Sequence, residues 1–317
     1  MRLLLFLLMF PSVFVGQNAV EQSYKLMASG QFKKVENLLK PYVEESPNDE
    51  EGLELLGDAY SNQKEWDHAI EVYRRLVDLQ PKNAEYHYKY GGAMGMKALS
   101  VNKFRALTMI DDVEEAFLKG AELDPKHIDV RWALVEYYMQ LPGIIGGSMD
   151  SALKYANELE ELSVVDGYLA KGYIYQCDDD NKNAEYYYRR ALTVGRSVTC
   201  YTKLSKLYVS WGRPEKAIAN YELGNKHNPL NEFQFFIGEV CAEHNIQLDK
   251  GEDALQQFIS NYSGKDTVSI EQAYYRLAQI YRLKRDKSEA LVWINKALAA
   301  NSNFNQALQE KQRIQNL

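Results

Sequence analysis

The chain has 317 residues, 46% of them hydrophobic, with 19 glycines, 8 prolines and a formal net charge of −7. That apolar content excludes wholesale disorder, and the scarcity of proline and glycine excludes a fibrous or low-complexity chain. The acidic balance supplies solubility and excludes a general basic field for gripping nucleic-acid phosphates.

In chain order, the first sixteen residues stand apart. Arg2 precedes an unbroken apolar run from Leu3 to Phe10, followed by Pro11 and by Ser12 to Gly16 ahead of Gln17. One early positive charge, a short apolar stretch and a terminal small residue describe a secretory leader over residues 1–16. Phe14 departs from the small residue preferred at that place before a cleavage site. The run is shorter than the roughly 20 apolar residues that cross a bilayer, and no later segment approaches that length. The mature chain is therefore expected to be exported, periplasmic or secreted, with no transmembrane anchor.

Beyond the leader the apolar residues recur at helical spacing. Pro47 and Pro81, 34 residues apart, each close such a pattern, LLKPYVEESP and VYRRLVDLQP. Leu56, Gly57, Tyr60, Ala69, Tyr73 and Pro81 set a frame. It returns as Gly172, Tyr175, Ala184, Tyr188 and Ala191, again as Leu204, Tyr208, Gly212, Ala217, Tyr221 and Pro229, and last as Leu277, Tyr281, Ala290 and Ala297. Such a period means two antiparallel helices per unit, neither able to bury its apolar stripe alone. Small residues sit where helices approach most closely. Large ones such as Tyr60, Tyr175, Tyr208 and Tyr281 fill the space between successive units. The 23 tyrosines are thus largely structural.

The frame predicts an all-α chain of about eight helix-turn-helix units, beginning near Asn18, Glu50, Ala84, Ile128, Val164, Val198, Asn231 and Ile270. These units occupy residues 17–302. Residues 303–317, FNQALQEKQRIQNL after Asn303, form one amphipathic helix that caps the last apolar face. The matching positions resemble the tetratricopeptide-repeat (TPR) family over essentially all of the mature chain. The segment YYMQLPGIIGGSMDSA is similar to one in a subgroup of exported bacterial repeat proteins. The resemblance implies a right-handed superhelix of paired helices, built mainly to hold proteins or peptides on a concave groove.

Three units depart from the pattern. The third stretches to 44 residues between Pro81 and Pro125, so KALSVNKFRALTMI must lengthen its helices or form a bulge. The fourth carries LPGIIGGS, and the seventh carries extra residues around HNIQLDKGE.

Several features invite a sharper chemistry. Pro142 to Ser148 could cradle an anion at a helix N-terminus, but a nucleotide loop needs a Lys followed by Ser or Thr, so an inter-helix turn capped by Ser148 is expected. Asp178, Asp179 and Asp180 lack the alternation and distal Glu of a calcium loop and read as a turn with a capping Asp. His68, His87, His127, His227 and His244 are scattered, without the His pair of a metalloprotease. Cys177, Cys200 and Cys241 have no metal-ligand spacing and are expected to be unlinked and mostly buried. No catalytic site, cofactor or metal is expected.

In the family the first helix of each unit lines the groove. The resemblance carries that role here to Tyr88, Trp132, Tyr173, Phe235 and Tyr275, alongside Glu54, Asp58, Glu136 and Glu239. It adds the basic residues Lys203, Lys206 and Arg282. The paired Lys and Asn set of carboxylate-gripping members is not found. Gly92 and Gly95 fall on the same face between Tyr88 and Trp132. They either allow close helix contact, as glycine inside a helix usually does, or leave a pocket. The expected function is a non-catalytic scaffold for a protein or peptide, with a glycan or other non-protein ligand as the alternative, since aromatic rings serve both. The groove's acidic residues favour a protein partner with basic segments.

Overall fold

A computed structural model describes residues 11–317, with side chains from residue 19 onward. The apolar run expected as the core of a leader lies outside the described residues. Among the described residues there are eighteen α-helices and no strand.

The helices pair as the frame requires. The pairs are α1 (Pro11–Ala28) with α2 (Phe32–Glu45), α3 (Glu50–Asn62) with α4 (Trp66–Leu79), α5 (Ala84–Ser100) with α7 (Ile110–Leu123), and α8 (Ile128–Gln140) with α9 (Met149–Leu162). The short α6 (Lys103–Leu107) lies between α5 and α7. There follow α10 (Val164–Cys177) with α11 (Asn181–Gly195), α12 (Val198–Ser210) with α13 (Pro214–His227), α14 (Asn231–His244) with α15 (Leu248–Ser260), and α16 (Ile270–Leu283) with α17 (Lys287–Ala300). α18 (Asn305–Gln315) closes the chain. From the second unit on, the first helix begins at the residue the frame gives. The chain forms two compact blocks, one ending at Leu162 and the other Ser163–Leu317. Within each block, first helices also touch directly from unit to unit, as α5 does α8 and α14 does α16, which makes them the inner layer.

Local signals explain the boundaries. The Asp49 carboxylate accepts from Gly52 N at 2.7 Å, and Ser148, Ser163 and Ser197 hydroxyls do the same for the helices they precede. Inside five units a three-residue turn reverses the chain, with its middle residue left-handed: Gly30, Lys64, Asp179, Gly212 and Arg285, φ between 59° and 69°. In each, the next residue's N–H reaches back to a carbonyl in the preceding helix's last turn, as Glu65 N does to Tyr60 O at 2.9 Å. The Asp triplet follows this rule, since Asp179 supplies the left-handed residue and Asp180 caps α11.

The departures resolve as follows. In the third unit α5 grows to 17 residues and α6 takes up the rest. In the fourth, LPGIIGGS is a single 3-10 turn, with Gly146 at φ +106°. A β-carbon at Gly147 would stand 1.8 Å from Leu141 O, so the glycines serve the backbone path. The seventh unit corrects the sequence reading. Asn245 to Gln247 make a three-residue reversal in which Asn245 and Gln247, not the middle residue, are left-handed, and the extra length lies in residues 261–269, between α15 and α16.

Two kinds of contact hold the stack. Within units, a glycine on the first helix receives a large side chain from the second. A β-carbon at Gly57 would stand 2.5 Å from the Tyr73 ring, at Gly172 2.4 Å from Tyr188, and at Gly238 2.3 Å from Leu255. Between units, a tyrosine near the end of a first helix donates its hydroxyl to a glutamate on the second helix of the unit before. Tyr138 reaches Glu114 at 2.5 Å, Tyr208 reaches Glu185 at 2.7 Å, and Tyr281 reaches Glu252 at 2.7 Å. Tyr175 behaves differently from the expectation, stacking on Tyr187 of its own unit at 5.4 Å. At the carboxy-terminal end, α18 buries Ala307 and Ile314 on Ala290, Ile294 and Ala297. Its fully buried Glu310 pairs with Arg282 and with Arg313.

The cysteines form no disulfide, as expected; Cys200 and Cys241 are buried, and burial pushes the Cys241 thiol up to about 11. Cys177 is exposed, because it lies at the last residue of α10, beside the Asp turn.

Two outcomes follow. Gly172→Ala forces a methyl against the buried Tyr188 ring and should lower stability by about 1–3 kcal/mol in urea denaturation, the usual cost of overpacking. Burial, and then the neighbouring glutamate, raise Tyr208 and Tyr281 to about 12, against about 10 in an unfolded chain. The folded state holds those protons more tightly. Their contribution is therefore complete below pH ~10 and is lost as the pH rises toward about 12. A Tyr208→Phe, Tyr281→Phe chain should be less stable at pH 7, by about 1 kcal/mol per hydrogen bond removed. It should also show a shallower alkaline decline, followed by circular dichroism; an unchanged decline refutes the assignment.

Candidate functional site

The inner faces of the two blocks differ in how their charges are used. In the amino-terminal block α3 presents Glu54 and Asp58, two positions read as groove-facing. Lys89, on the next first helix, lies 2.6 Å from Glu54 and 2.8 Å from Asp58, and Tyr73 donates to Asp58 at 2.7 Å. Burial works against the Lys89 charge, but Asp58 and Glu54 outweigh it and hold the ammonium above its ordinary range. Both carboxylates are therefore engaged inside the fold.

One unit further on the situation changes. Tyr88, on α5, is half-buried, with its ring 5.4 Å from His127 and 6.5 Å from Phe117. Its hydroxyl is held above the usual phenol range by burial first, then by the fields of Asp129, Glu85 and Glu136. On α8, Asp129, Trp132 and Glu136 follow at spacings of three and four and so share a face. Trp132 is half-buried, and Glu136 is exposed and makes no ion pair among the described residues. Tyr88, Trp132 and Glu136 are thus brought to one region.

The glycines of α5 divide by role. Gly91 is the packing glycine, since a β-carbon there would meet the Phe117 ring at 2.9 Å. One at Gly95 would touch Val113 at an ordinary 3.7 Å, and one at Gly92 would meet nothing within 4 Å. The packing explanation therefore holds for Gly91 and fails for Gly92, which leaves open space one helical turn from Tyr88.

Sequence reasoning missed a neighbouring cleft of 680 Å³ between the turns that precede α5 and α8, lined in part by Lys82, Asn83, Glu85, Asp124 and His127. His127 caps α8 by accepting from Val130 N at Nδ1, 3.3 Å, and its Nε2 faces Glu85 at 3.1 Å. A ring that accepts at Nδ1 carries its proton at Nε2. Only the turn composition hinted at this cleft, because its walls come from two units.

In the carboxy-terminal block most of the expected groove residues hold the fold itself. Phe235 is a correction: at 2% exposure it packs on Phe258, ring centroids 5.6 Å apart, because α14 turns both Phe233 and Phe235 into the core. Glu239 is bound by Arg276 at 2.7 Å, and Arg276 also holds Glu243 at 2.5 Å. Arg282 faces the cap helix and pairs with Glu310. Tyr275 lies 5.2 Å from Phe304 and accepts from Gln279 at 2.9 Å. Lys203 stands 5.8 Å from the Tyr173 ring, and Lys206 is exposed and forms no ion pair among the described residues. Among the described residues no group of three His, Cys, Asp or Glu is placed to hold a metal ion.

Residues 47–97 match a family model described as TPR repeat, and residues 198–227 and 271–304 match one described as tetratricopeptide repeat. The human protein O-mannosyl-transferase TMTC3 is 18% identical over 80% of this chain and 28% of its own length. A tetratricopeptide repeat protein 30 homolog of Drosophila pseudoobscura pseudoobscura is 30% identical over 23% of this chain and 11% of its own. The chain thus matches less than a third of either curated relative. Among solved structures, a tetratricopeptide repeat protein from Parabacteroides merdae is 13% identical, covers 95% of this chain and 99% of its own, and superposes with a TM-score of 0.52. TTC0263, a TPR protein from Thermus thermophilus, is 16% identical over 71% of this chain and 98% of its own, with a TM-score of 0.45. The chain carries tetratricopeptide repeats and has the all-helical fold of the proteins built from them.

Proposed function

We propose that the chain is a non-catalytic scaffold that receives a protein or peptide on the inner face of its amino-terminal block. The observation that carries this reading is the open space over Gly92, bordered by the half-buried Tyr88 and lying beside the α8 face of Asp129, Trp132 and Glu136. Aromatic anchors with a polar rim are what peptide recognition uses. The free carboxylates favour an occupant with an apolar side chain for the rings and a basic one for Glu136. The human relative is named as a transferase, but what this face offers is rings and a carboxylate suited to contact. The carboxy-terminal block, whose Glu239, Arg276 and Arg282 are engaged internally, supports the stack.

An exported setting belongs to the same reading. Residues 1–16 support it, with one early positive charge, a short apolar run and a small residue ahead of Gln17. Expression in a bacterial host should yield a chain beginning at Gln17, read by mass spectrometry; an intact Met1 on exported protein would refute the leader.

The groove is tested with an array of short peptides carrying aliphatic and basic residues, followed by titration calorimetry on those that bind. Trp132→Ala should weaken binding at least about tenfold, as truncation of an aromatic anchor does. Gly92→Leu fills the open space and should weaken binding comparably. Gly92→Ala should instead raise stability by about 0.5–1 kcal/mol, because it removes a helix-interior glycine that nothing touches. Undiminished affinity in both Trp132→Ala and Gly92→Leu would place the contact elsewhere, and binding of sugars with no peptide bound would favour a glycan.

A further inference from the structure

Six of the eight units reverse between their helices in three residues, such as Gln63-Lys64-Glu65 and Lys284-Arg285-Asp286. The third and fourth do not. Residues 101–109 join α5 to α7, and residues 141–148 join α8 to α9. Both connections lead from first to second helix in consecutive units of one block, so they occupy the same end of it. Near this end Tyr137 of α8 donates to Ile110 O at the start of α7 at 3.1 Å and Tyr138 donates to Glu114, fastening α8 to α7, while Ser148 N reaches Tyr138 O at 3.1 Å within the fourth unit.

This edge carries large apolar side chains that no core requires. Ile144 is 96% exposed, Phe104 86% and Leu99 66%, with Met96 and Leu107 also exposed. Large apolar side chains exposed together at one end of a block mark a contact surface. Phe104 stands between the exposed Lys103 and Arg105 in a short helix reading KFRAL.

We propose that this edge rests on a lipid surface, with Phe104 and Ile144 entering the headgroup–acyl boundary and Lys103 and Arg105 meeting anionic headgroups. The inference is independent of the peptide groove. Two observations favour a bilayer over a protein pocket. The two most exposed side chains project from separate turns, and an interface that deforms accepts such tips without a matched cavity. Bulky apolar residues flanked by cations are the pattern that peripheral membrane segments use. The exposed Asp111 and Asp112, which open α7, offset part of the basic charge. The apolar tips therefore carry the contact, and the cations add a preference for anionic lipid.

The test is co-sedimentation of the full chain with vesicles of phosphatidylcholine, alone or mixed with phosphatidylglycerol. Phe104→Ala with Ile144→Ala should lower partitioning onto the mixed vesicles at least about tenfold, with an unchanged circular dichroism spectrum since both side chains are exposed. Lys103→Glu with Arg105→Glu should weaken binding to the mixed vesicles and leave the phosphatidylcholine arm unchanged. A local readout separates this edge from the amino-terminal apolar run: Phe104→Trp should gain a blue-shifted emission that brominated lipid quenches. The proposal is overturned if the wild type stays in the supernatant, if the Phe104→Ala, Ile144→Ala chain sediments equally, or if the new tryptophan is not quenched. A wild type that self-associates in solution through this edge, and ignores vesicles, would assign it to a second copy of the chain.

Discussion

A hydrogen bond from a tyrosine hydroxyl to a glutamate of the preceding unit is the contact on which this stack depends. A repeat protein has no central core, and each unit touches only its neighbours, so stability is close to a sum over interfaces. At three of those interfaces the same solution recurs, in Tyr138 with Glu114, Tyr208 with Glu185, and Tyr281 with Glu252. The ring supplies apolar bulk, and the hydroxyl gives a partly buried carboxylate a partner. Burial would push the Glu185 proton affinity up, yet Tyr208 and the surrounding Lys216 and Arg189 hold this carboxyl below the usual range. A phenylalanine would keep the packing and lose that satisfaction, which is why the hydroxyl is worth retaining.

The same economy of charge runs along the inner helices and decides where a ligand can be met. Lys89 neutralises Glu54 and Asp58, Arg276 neutralises Glu239 and Glu243, and Arg282 with Arg313 neutralises Glu310. Apart from Arg313, which shares α18 with Glu310, each cation meets acids of another element, so the pairing fastens elements together. Paired charges in a partly dry interface cost much if separated, so these groups are poorly suited to releasing their partners for a ligand. Tyr88, Trp132 and Glu136 belong to none of these fastenings, and a β-carbon at Gly92, one helical turn from Tyr88, would meet nothing within 4 Å.

The insertions of the third and fourth units change the edge of the block while leaving its inner face intact. α5 runs on to Ser100 and α6 is added outside the packed pair, while the glycines around Ile144 let the chain turn tightly and leave that side chain outside. Extra length in a repeat is accommodated at loops because the helix pairs on either side must keep their register.

The period was legible in the sequence because it is a local property. Gly57 with Tyr73, Gly172 with Tyr188, and the proline or capping residue at each boundary recur at fixed spacing, since the same two-helix packing must be satisfied in every unit. Helix starts at Glu50, Ala84, Ile128 and beyond followed directly, as did the Asp178–Asp180 turn and the Ser148 cap. What the sequence could not decide was the orientation of individual side chains across units. Phe235 occupies a groove position by count, yet it lies in the core because α14 turns it, with Phe233, inward and packs it on Phe258 of α15. Cys177 came out exposed because α10 ends there, and the extra residues of the seventh unit, expected around 244–252, lie instead at 261–269. Whether Glu54, Glu239 or Arg282 is available to a partner depends on Lys89, Arg276 and Glu310, which lie 28 to 37 residues away in sequence. Local periodicity fixes which residues form helices and which faces they bury; only the packed structure decides which charges find each other, because an ion pair depends on distance in space.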